Sequence, residues 1–342
     1  MSHPGASSAI DHYNHEIERQ PRDQSLYIRR GIAYSSDGQY DKALADFKQA
    51  EQLVDGMRNV ARIWPLIRLM QIFSPPMRDL LQGYLCEEDG QVVGVTIVQR
   101  RGSTDLWVVG TVGVLPDYRR RGMARELVEA SLELMRERGA TKTILGVIDG
   151  NIPAYALYED LGFEPYSGMV EFDGQFEEPA PAPELPEGYQ RSPLGPHDWQ
   201  PRFELERRIT PGALQRYEPV EEGRFKRPLG MRLLYPILQR AQGMKDQDFC
   251  LHTAGEGQLV ARGGYTLPTR GKGVNNVRAR LDPAHAELAP YLVGTLLHEV
   301  TTLSPGHRVD LTVPRWMEAV VGEAEEQGLN RRVEYLLMGM EL

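Results

Sequence analysis

The sequence of 342 residues predicts a mixed α/β fold in which helices cover the faces of a mixed sheet, with the same unit built twice in tandem. The hydrophobic pattern over residues 83–172 gives the order hairpin, strand, helix, strand, helix, strand. Residues 249–340 repeat this order, and a segment of alternating proline and acid separates the two runs. We therefore expect a helical segment at 1–53, a first α/β domain at 54–174, a linker at 175–187 and a second α/β domain at 188–342.

The elements of the first domain follow from β-rich runs and helical spacing between turn residues. Strands are predicted at 83–86 and 92–99, joined by a hairpin turn at Asp89-Gly90. The other elements are a strand at 106–115, a helix at 119–138 that ends at Gly139, a strand at 143–147, a helix at 152–161 and a strand at 163–172.

The second domain has the same order after an additional helical stretch. That stretch covers residues 199–242 and precedes strands at 249–252, 259–267 and 274–281. A helix at 288–303, a strand at 309–313, a helix at 316–327 and a strand at 332–340 complete it. Side-chain identity between the two halves is low, so the order of elements is what indicates a tandem duplication.

The first fifty residues are predicted to be helical, with Ile10, Tyr13 and Ile17 at helical spacing. Residues 26–53 resemble a tetratricopeptide repeat, in the small and large residues Gly31, Ala33, Tyr34, Gly38, Tyr40, Ala43, Phe47 and Ala50. Only about one and a half repeats are present, which favours a helical cap over a free-standing peptide-binding array. The alternative is that residues 26–33 form the first strand of the next domain and residues 40–53 its first helix.

Composition excludes several classes of protein. A net charge of −9 argues against a broad nucleic-acid-binding surface, and no apolar stretch is long enough to span a membrane. The two cysteines, Cys86 and Cys250, lie far apart without a nearby cluster of histidines, so neither a disulfide framework nor a zinc site is predicted. The N-terminus carries no apolar signal core, and we expect a cytoplasmic location. Oligomeric state is not predicted.

The run VGVLPDYRRRGMARELV, residues 112–128, carries the strongest chemical signal. A strand ends at Pro116, and a loop of three arginines and a glycine leads into a helix. Amides in such a turn have no intrahelical acceptor, and the helix dipole adds positive potential there. Gly122 permits close approach of the backbone and Ala124 leaves room for an anion, which together predict a pyrophosphate cradle. The competing interpretation is an exposed cationic turn before an ordinary helix.

A second group follows on the next helix. Asn151, Ala154 and Tyr158 lie near one helical face, so an amide, a small residue and a phenol line one groove. Leu157 and Leu161 form the core stripe of the same helix. A lone tyrosine near a helix end is usually a packing residue, and the preceding arginine loop is what gives Tyr158 a functional interpretation.

In these two motifs the region 55–172 resembles the GNAT superfamily of N-acetyltransferases. The family fingerprint Arg/Gln-x-x-Gly-x-Gly/Ala is matched by Arg119, Gly122 and Ala124. The later family pattern Asn-x-x-Ala-x-x-Leu-Tyr before Gly-Phe is matched by Asn151, Ala154, Leu157, Tyr158, Gly162 and Phe163.

The resemblance implies that acetyl-CoA is the co-substrate and that a small-molecule or peptide amine accepts the acetyl group by direct attack. It implies that backbone amides hold the CoA pyrophosphate, namely those of Arg119, Arg120, Arg121, Gly122, Met123 and Ala124. It implies that the strand segment Val112, Gly113 and Val114 pairs with the pantetheine arm. Tyr158 would protonate the departing thiolate, and Asn151 would hold either its helix or the pantetheine arm.

Three questions stay open at this point. Glu87, Glu88 and Asp149 are candidates for the general base by position only. An insert at 202–240, with Tyr217, Phe225 and Tyr235, either walls the acceptor cleft or forms a helical core. The third question is whether the chain is a catalyst acting on a small amine or on a protein, or a non-catalytic acetyl-CoA sensor that binds a protein partner through its N-terminal helices.

The second half lacks the cofactor loop. Its strand-to-helix junction, residues 279–288, has no arginine triplet and no glycine, and Glu287 is unfavourable beside a pyrophosphate. His285 is expected to cap or pack locally. We therefore expect a degenerate copy of the fold that has kept its core.

Overall fold

The computed structural model describes residues 10, 13–17, 30, 34, 42, 82–101, 104–195, 197–226, 243–269 and 273–342. It divides into two compact units, one formed by residues 1–103 and 112–127 and the other by residues 104–111 and 128–342. Neither division lies in the predicted linker, and the predicted four-part domain order stays a prediction.

The described residues near the N-terminus are helical. Ile10, Tyr13 and Ile17 are buried, in agreement with their helical spacing. Arg30 donates from Nη1 to Asn14 Oδ1 at 2.8 Å and is helical. The alternative that residues 26–33 form a strand is therefore wrong at Arg30. The other residues that resemble a tetratricopeptide repeat, apart from the helical Tyr34, lie outside the described part of the chain, so that resemblance stays a prediction.

In the first unit, strands β1 (Gln82–Glu88) and β2 (Gln91–Arg100) form the predicted antiparallel hairpin. Its turn uses Asp89 at φ 53° and Gly90 at φ 77°, the backbone angles of a type I′ turn. Strand β3 (Leu106–Val114) belongs to this unit from Val112 onward, and Leu115 N donates to Val93 O of β2 at 2.8 Å. Helix α1 (Met123–Glu137) begins in the same unit.

The second unit contains the start of β3, the rest of α1 and the elements that follow them. Its further strands are β4 (Lys142–Ile148), β5 (Glu164–Gln175), β6 (Tyr189–Pro193), β7 (Met244–Thr253), β8 (Leu259–Pro268), β9 (Val274–Leu281), β10 (Arg308–Pro314) and β11 (Asn330–Glu341). Its further helices are α2 (Ile152–Asp160), α3 (Trp199–Ile209), α4 (Gly212–Tyr217), α5 (Ala289–Leu303) and α6 (Glu318–Glu326). The mixed α/β class and the repeated order of elements are confirmed.

The strands of the second unit lie in the order β3, β4, β11, β5, β10, β9, β8, β7, β6. In each half a helix crossover joins two parallel strands, β3 to β4 through α1 and β9 to β10 through α5. The last strands are exchanged, because β11 pairs antiparallel with β4 while β5 pairs antiparallel with β10. β5 and β11 also pair with each other in the middle of the sheet. The strand order is thus symmetric about the β5–β11 pair, as expected for a tandem repeat.

The core of the second unit is centred on α5, whose side chains are buried on nearly every side. Leu292, Leu296 and Val300 are buried in a cluster with residues of the sheet and of α6. The predicted linker runs beside this helix without regular structure. Ala180 N donates to Thr301 Oγ1 at 2.9 Å, and Ala180 O lies 2.7 Å from His298 Nδ1.

Half-buried ion pairs fasten α3 to the neighbouring strands. Asp248 of β7 lies between Arg202 of α3, at 2.7 Å, and Arg278 of β9, at 3.1 Å. Glu206 of α3 pairs with Arg262 of β8 at 2.9 Å. Burial favours a higher pKa for the Asp248 carboxyl, but the hydrogen bond from Arg202 and the charge of Arg278 outweigh it, and that pKa lies below its ordinary value.

Two predicted elements differ from the structure, and one observed strand was not predicted. The helix predicted at 119–138 begins only at Met123, because Arg120 at φ 65° and Gly122 at φ 85° are not helical. The stretch predicted at 199–242 breaks at Thr210, which is extended before Pro211, and residues 227–242 lie outside the described part. Strand β6 was missed, because it is short, polar and ends in proline.

Candidate functional site

The turn between β3 and α1 has a defined, non-helical backbone. A 3-10 turn, Pro116–Tyr118, follows β3, and the next residue, Arg119, is extended. Arg120 and Gly122 then adopt the left-handed conformation, and the first helical bond joins Glu126 N to Gly122 O at 3.1 Å. A left-handed arginine is strained, since side chains other than glycine rarely adopt that region.

This turn leaves a row of amides without an acceptor. Within the described residues, no acceptor lies within hydrogen-bond distance of the amides of Arg120, Arg121, Gly122, Met123 and Ala124. Arg119, which was predicted to belong to the same cradle, instead donates its amide to Pro116 O at 3.2 Å. The free amides lie at the N-terminus of a 15-residue helix, where the dipole favours an anion. The arrangement can therefore bind a phosphate group.

The three arginine side chains do different things. Arg119 donates from Nε to Val114 O at 3.0 Å and so closes the end of β3. Arg121 pairs with Glu88 Oε1 at 3.2 Å and donates to Asp117 O at 3.1 Å. Arg120 is exposed, and no described residue pairs with its guanidinium. Arg120 is thus the cation of the turn that is available to a ligand.

Within the second unit, the parallel ladder between β3 and β4 is short. It ends at the pair Val109–Leu145, although both strands continue. Past that point Gly110, Thr111 and Gly146 are exposed, whereas β4 keeps its bonds to β11 on the other side. Among the described residues β4 does not pair with β3 beyond Val109, so the backbone of Gly110 and Thr111 on that side can pair with an extended ligand.

Asn151 caps helix α2. Its Oδ1 accepts a hydrogen bond from Ala154 N at 3.3 Å, which is the first of the two roles predicted for it. The described contacts do not test whether Asn151 also binds the pantetheine arm.

Tyr158, on the same helix, is 8% exposed and its ring packs edge-on against Phe163 at 5.9 Å. No described residue hydrogen-bonds its hydroxyl, and burial raises the pKa of Tyr158. A phenol with a raised pKa is neutral at pH 7 and holds a proton that it can donate.

The general base stays unassigned. The carboxylate of Glu88 is paired with Arg121 at 3.2 Å. Glu87 is exposed on β1, opposite Val92. Asp149 is exposed just after β4, where its amide donates to Glu334 O at 2.8 Å.

The aromatic insert has a structural role at its described positions. Tyr217 is 2% exposed and packs with Leu106 and Ile144, against the backbone of Gly339. The ring of Phe225 packs edge-on against Phe203, with ring centroids 5.8 Å apart. Tyr217 thus packs on strands of the sheet and not in the predicted helical core, whereas Tyr235 lies outside the described residues.

The corresponding turn of the second half is closed by its own side chains. Asp282 accepts from Ala284 N at 3.1 Å, and its backbone O accepts from His285 N at 2.9 Å. His285 Nδ1 lies 2.8 Å from the hydroxyl of Tyr189, so the expected local packing is confirmed. The hydrogen bond to Glu287, together with burial, raises the pKa of Tyr189 to about 12.

The described part of the chain contains neither a metal-binding cluster nor a membrane-spanning helix. No group of three histidine, cysteine or carboxylate side chains among these residues could hold a metal ion. Nor does any described helix combine the length and hydropathy needed to cross a bilayer.

Comparison with known proteins points to one family. Residues 59–163 match the model of the acetyltransferase (GNAT) family. Mycothiol acetyltransferase of Corynebacterium glutamicum is 45% identical over 76 residues, which are 22% of this chain and 26% of that protein. N-alpha-acetyltransferase 30 of Schizosaccharomyces pombe is 28% identical over 92 residues, or 26% of this chain and 61% of that one. The chain thus spans about a quarter of the first relative and less than two thirds of the second.

A solved structure supports the fold over most of the chain. The GCN5-related N-acetyltransferase from Sphaerobacter thermophilus superposes with a TM-score of 0.53 at 17% identity. The match covers 74% of this chain and 78% of that protein. At this identity the likeness establishes a shared fold and nothing further.

Proposed function

We propose that the chain is an acyltransferase that moves the acetyl group of acetyl-CoA to a primary amine. The observation that carries the proposal is the turn before α1, where no described residue accepts a hydrogen bond from five consecutive backbone amides. The family match over residues 59–163 supports the same activity, since it includes both the turn and helix α2.

The residues present suit the phosphates of CoA. The amides of Arg120 to Ala124 would bind the pyrophosphate, and the Arg120 guanidinium would supply a positive charge. A Cβ at Gly122 would have only Glu126 Oε1 nearby, at 3.9 Å, so the space above the turn is open. The edge formed by Val112, Gly113 and Val114 would pair with the pantetheine arm, although Val114 O is already bonded to Arg119.

In this proposal the acceptor nitrogen attacks the thioester carbonyl directly. The C–N bond forms, a tetrahedral intermediate carries the negative charge on oxygen, and an amide of the strand edge stabilises it. The C–S bond then breaks with its electron pair on sulfur. Tyr158 donates its phenolic proton to the thiolate, the acceptor nitrogen loses one proton to solvent, and the tyrosinate recovers a proton from solvent.

The test is acetylation of a panel of amines. The release of free CoA thiol measures the rate, and the mass of the product identifies the acetylated amine. The Tyr158→Phe variant is expected to lose turnover about 10²- to 10⁴-fold while its CoA affinity stays unchanged. Tyr155→Phe, on the same helix, is the matched control and is expected to keep turnover. Equal rates in the two variants would remove Tyr158 from the mechanism.

The panel contains two acceptor classes, because the names of the relatives refer to mycothiol and to an N-alpha amine. Small-molecule amines represent the first and short peptides with free N-termini the second. CoA binding without turnover on any amine would overturn the proposed activity in favour of a binding-only protein. Absence of CoA binding would overturn both.

A further inference from the structure

The second half of the molecule contains a cavity of about 270 Å³. Seven of its eight lining residues are apolar, one of them a tryptophan, and the eighth carries a carboxylate. The lining residues are Leu281, Pro283, Ala286, Trp316, Met317, Glu318, Ala319 and Val320.

The cavity lies at the end of the parallel ladder of the second half. The parallel ladder between β9 and β10 ends at the pair Val277–Leu311, as the β3–β4 ladder ends at Val109–Leu145. Leu281 ends β9, and the segment beginning at Trp316 follows β10. The cavity is thus the counterpart, in the second half, of the place where the β3–β4 ladder ends.

Its chemistry is opposite to that of the turn before α1. The amide of Ala284, in the turn after β9, is already bonded to Asp282, whose carboxylate pairs with Arg208 at 3.0 Å. Two arginines adjoin lining residues in sequence: Arg280 pairs with Glu206 at 3.0 Å, and Arg315 pairs with Glu334 at 3.1 Å. A phosphate would therefore find no free amide at Ala284 and would meet the charge of Glu318.

We propose that this cavity binds an organic ammonium ion with an apolar body. The exposed Glu318 carboxylate would pair with the ammonium group, and the face of Trp316 would attract it through a cation–π interaction. Leu281, Met317 and Val320 would contact the apolar part. The volume equals that of about nine liquid water molecules, which suits a ligand of about ten non-hydrogen atoms.

The proposal is independent of acetyl transfer, and its test is run without CoA. Isothermal titration calorimetry compares 3-phenylpropylamine with two matched probes, 3-phenylpropan-1-ol and 3-phenylpropanoate. The amine is expected to bind, the alcohol to bind about tenfold more weakly, and the carboxylate not to bind. Glu318→Gln is expected to lower amine affinity to that of the alcohol.

Glu326→Gln, at the other end of α6, is the matched control and is expected to bind the amine as the unaltered protein does. Thermal unfolding of both variants checks that the cavity is intact. Trp316→Leu is expected to lower the affinity for the amine several-fold more than the affinity for the alcohol. Equal affinity for amine and alcohol, unchanged binding by Glu318→Gln, or displacement of the amine by CoA would each overturn the assignment.

Discussion

Replacing Gly122 by alanine tests the backbone conformation of the turn before α1 without changing the charge of the turn. Gly122 sits at φ 85°, and the only atom within 4 Å of an added Cβ is Glu126 Oε1, at 3.9 Å. The substitution therefore creates no steric clash within the described residues. Its cost comes from the left-handed backbone, which is about 1–2 kcal/mol for a residue that has a Cβ.

If the turn relaxes to avoid this cost, its amides rotate away from the bound phosphate. Each hydrogen bond to a charged group contributes about 1.5–3 kcal/mol, so the loss of one such bond lowers the affinity for CoA roughly 10- to 150-fold. The stability loss alone lowers Tm by about 2–4 °C per kcal/mol in a domain of 150–250 residues. Calorimetric titration with CoA and a thermal melt measure the two effects separately.

Gly139→Ala is the matched control for Gly122→Ala. Gly139 ends the same helix at φ 76°, and no atom lies within 4 Å of its added Cβ. Both variants are expected to lose similar stability, but only Gly122→Ala is expected to lose CoA affinity. Equal CoA affinity in the two variants, with equal Tm losses, would refute the assignment of the turn as the pyrophosphate site.

Three further predictions concern charge, pH and packing. Arg120→Ala is expected to lower the affinity for CoA about tenfold. Arg121→Ala is expected to change that affinity by no more than about twofold, because the Arg121 guanidinium is already paired with Glu88. Asp248, whose folded pKa is lowered, is expected to stabilise the fold above its unfolded pKa of about 3.9 and to lose that contribution as pH falls towards the folded value. Gly339→Ala is expected to cost about 1–3 kcal/mol, because its Cβ would lie 2.6 Å from the buried ring of Tyr217.

Each of these predictions has its own measurement. The arginine variants are compared by titration with CoA at two salt concentrations. An equal loss of CoA affinity in the two variants would contradict the different roles given to Arg120 and Arg121. Urea unfolding of Asp248→Asn and of the unaltered protein should show a stability gap at pH 7 that narrows below pH about 4. Gly322→Ala, on α6 with no atom within 4 Å of the added Cβ, is the packing control and is expected to stabilise. An equal loss there would contradict the steric explanation.

The order of elements could be predicted because its signals are local. Alternating apolar residues and turn residues such as Asp89-Gly90 mark strands and their ends, and β9 was predicted with its observed limits. The start of α1 could not be predicted in this way. Arginine is a good helix former, so propensity alone does not reveal that Arg120 is left-handed.

The site shows the same division between local and long-range information. The motif identified the turn. Arg119 is held by local hydrogen bonds to Val114 O and Pro116 O, whereas Arg121 is paired with the distant Glu88. Strand pairing is also long-range, and nothing in the sequence of β4 specifies β11 as its neighbour. The exchange of last strands was therefore not foreseen, although the duplication itself was.

Because of that exchange, the two halves of the chain depend on each other for folding. β4 is made early in synthesis, yet its hydrogen-bonding groups on one side stay unsatisfied until β11, the last strand of the sheet, has been made. A fragment that ends before β11 would expose this edge as a template for another chain. The first half is thus not separable as a working module, and an expression strategy that cuts the chain between the halves should yield aggregates.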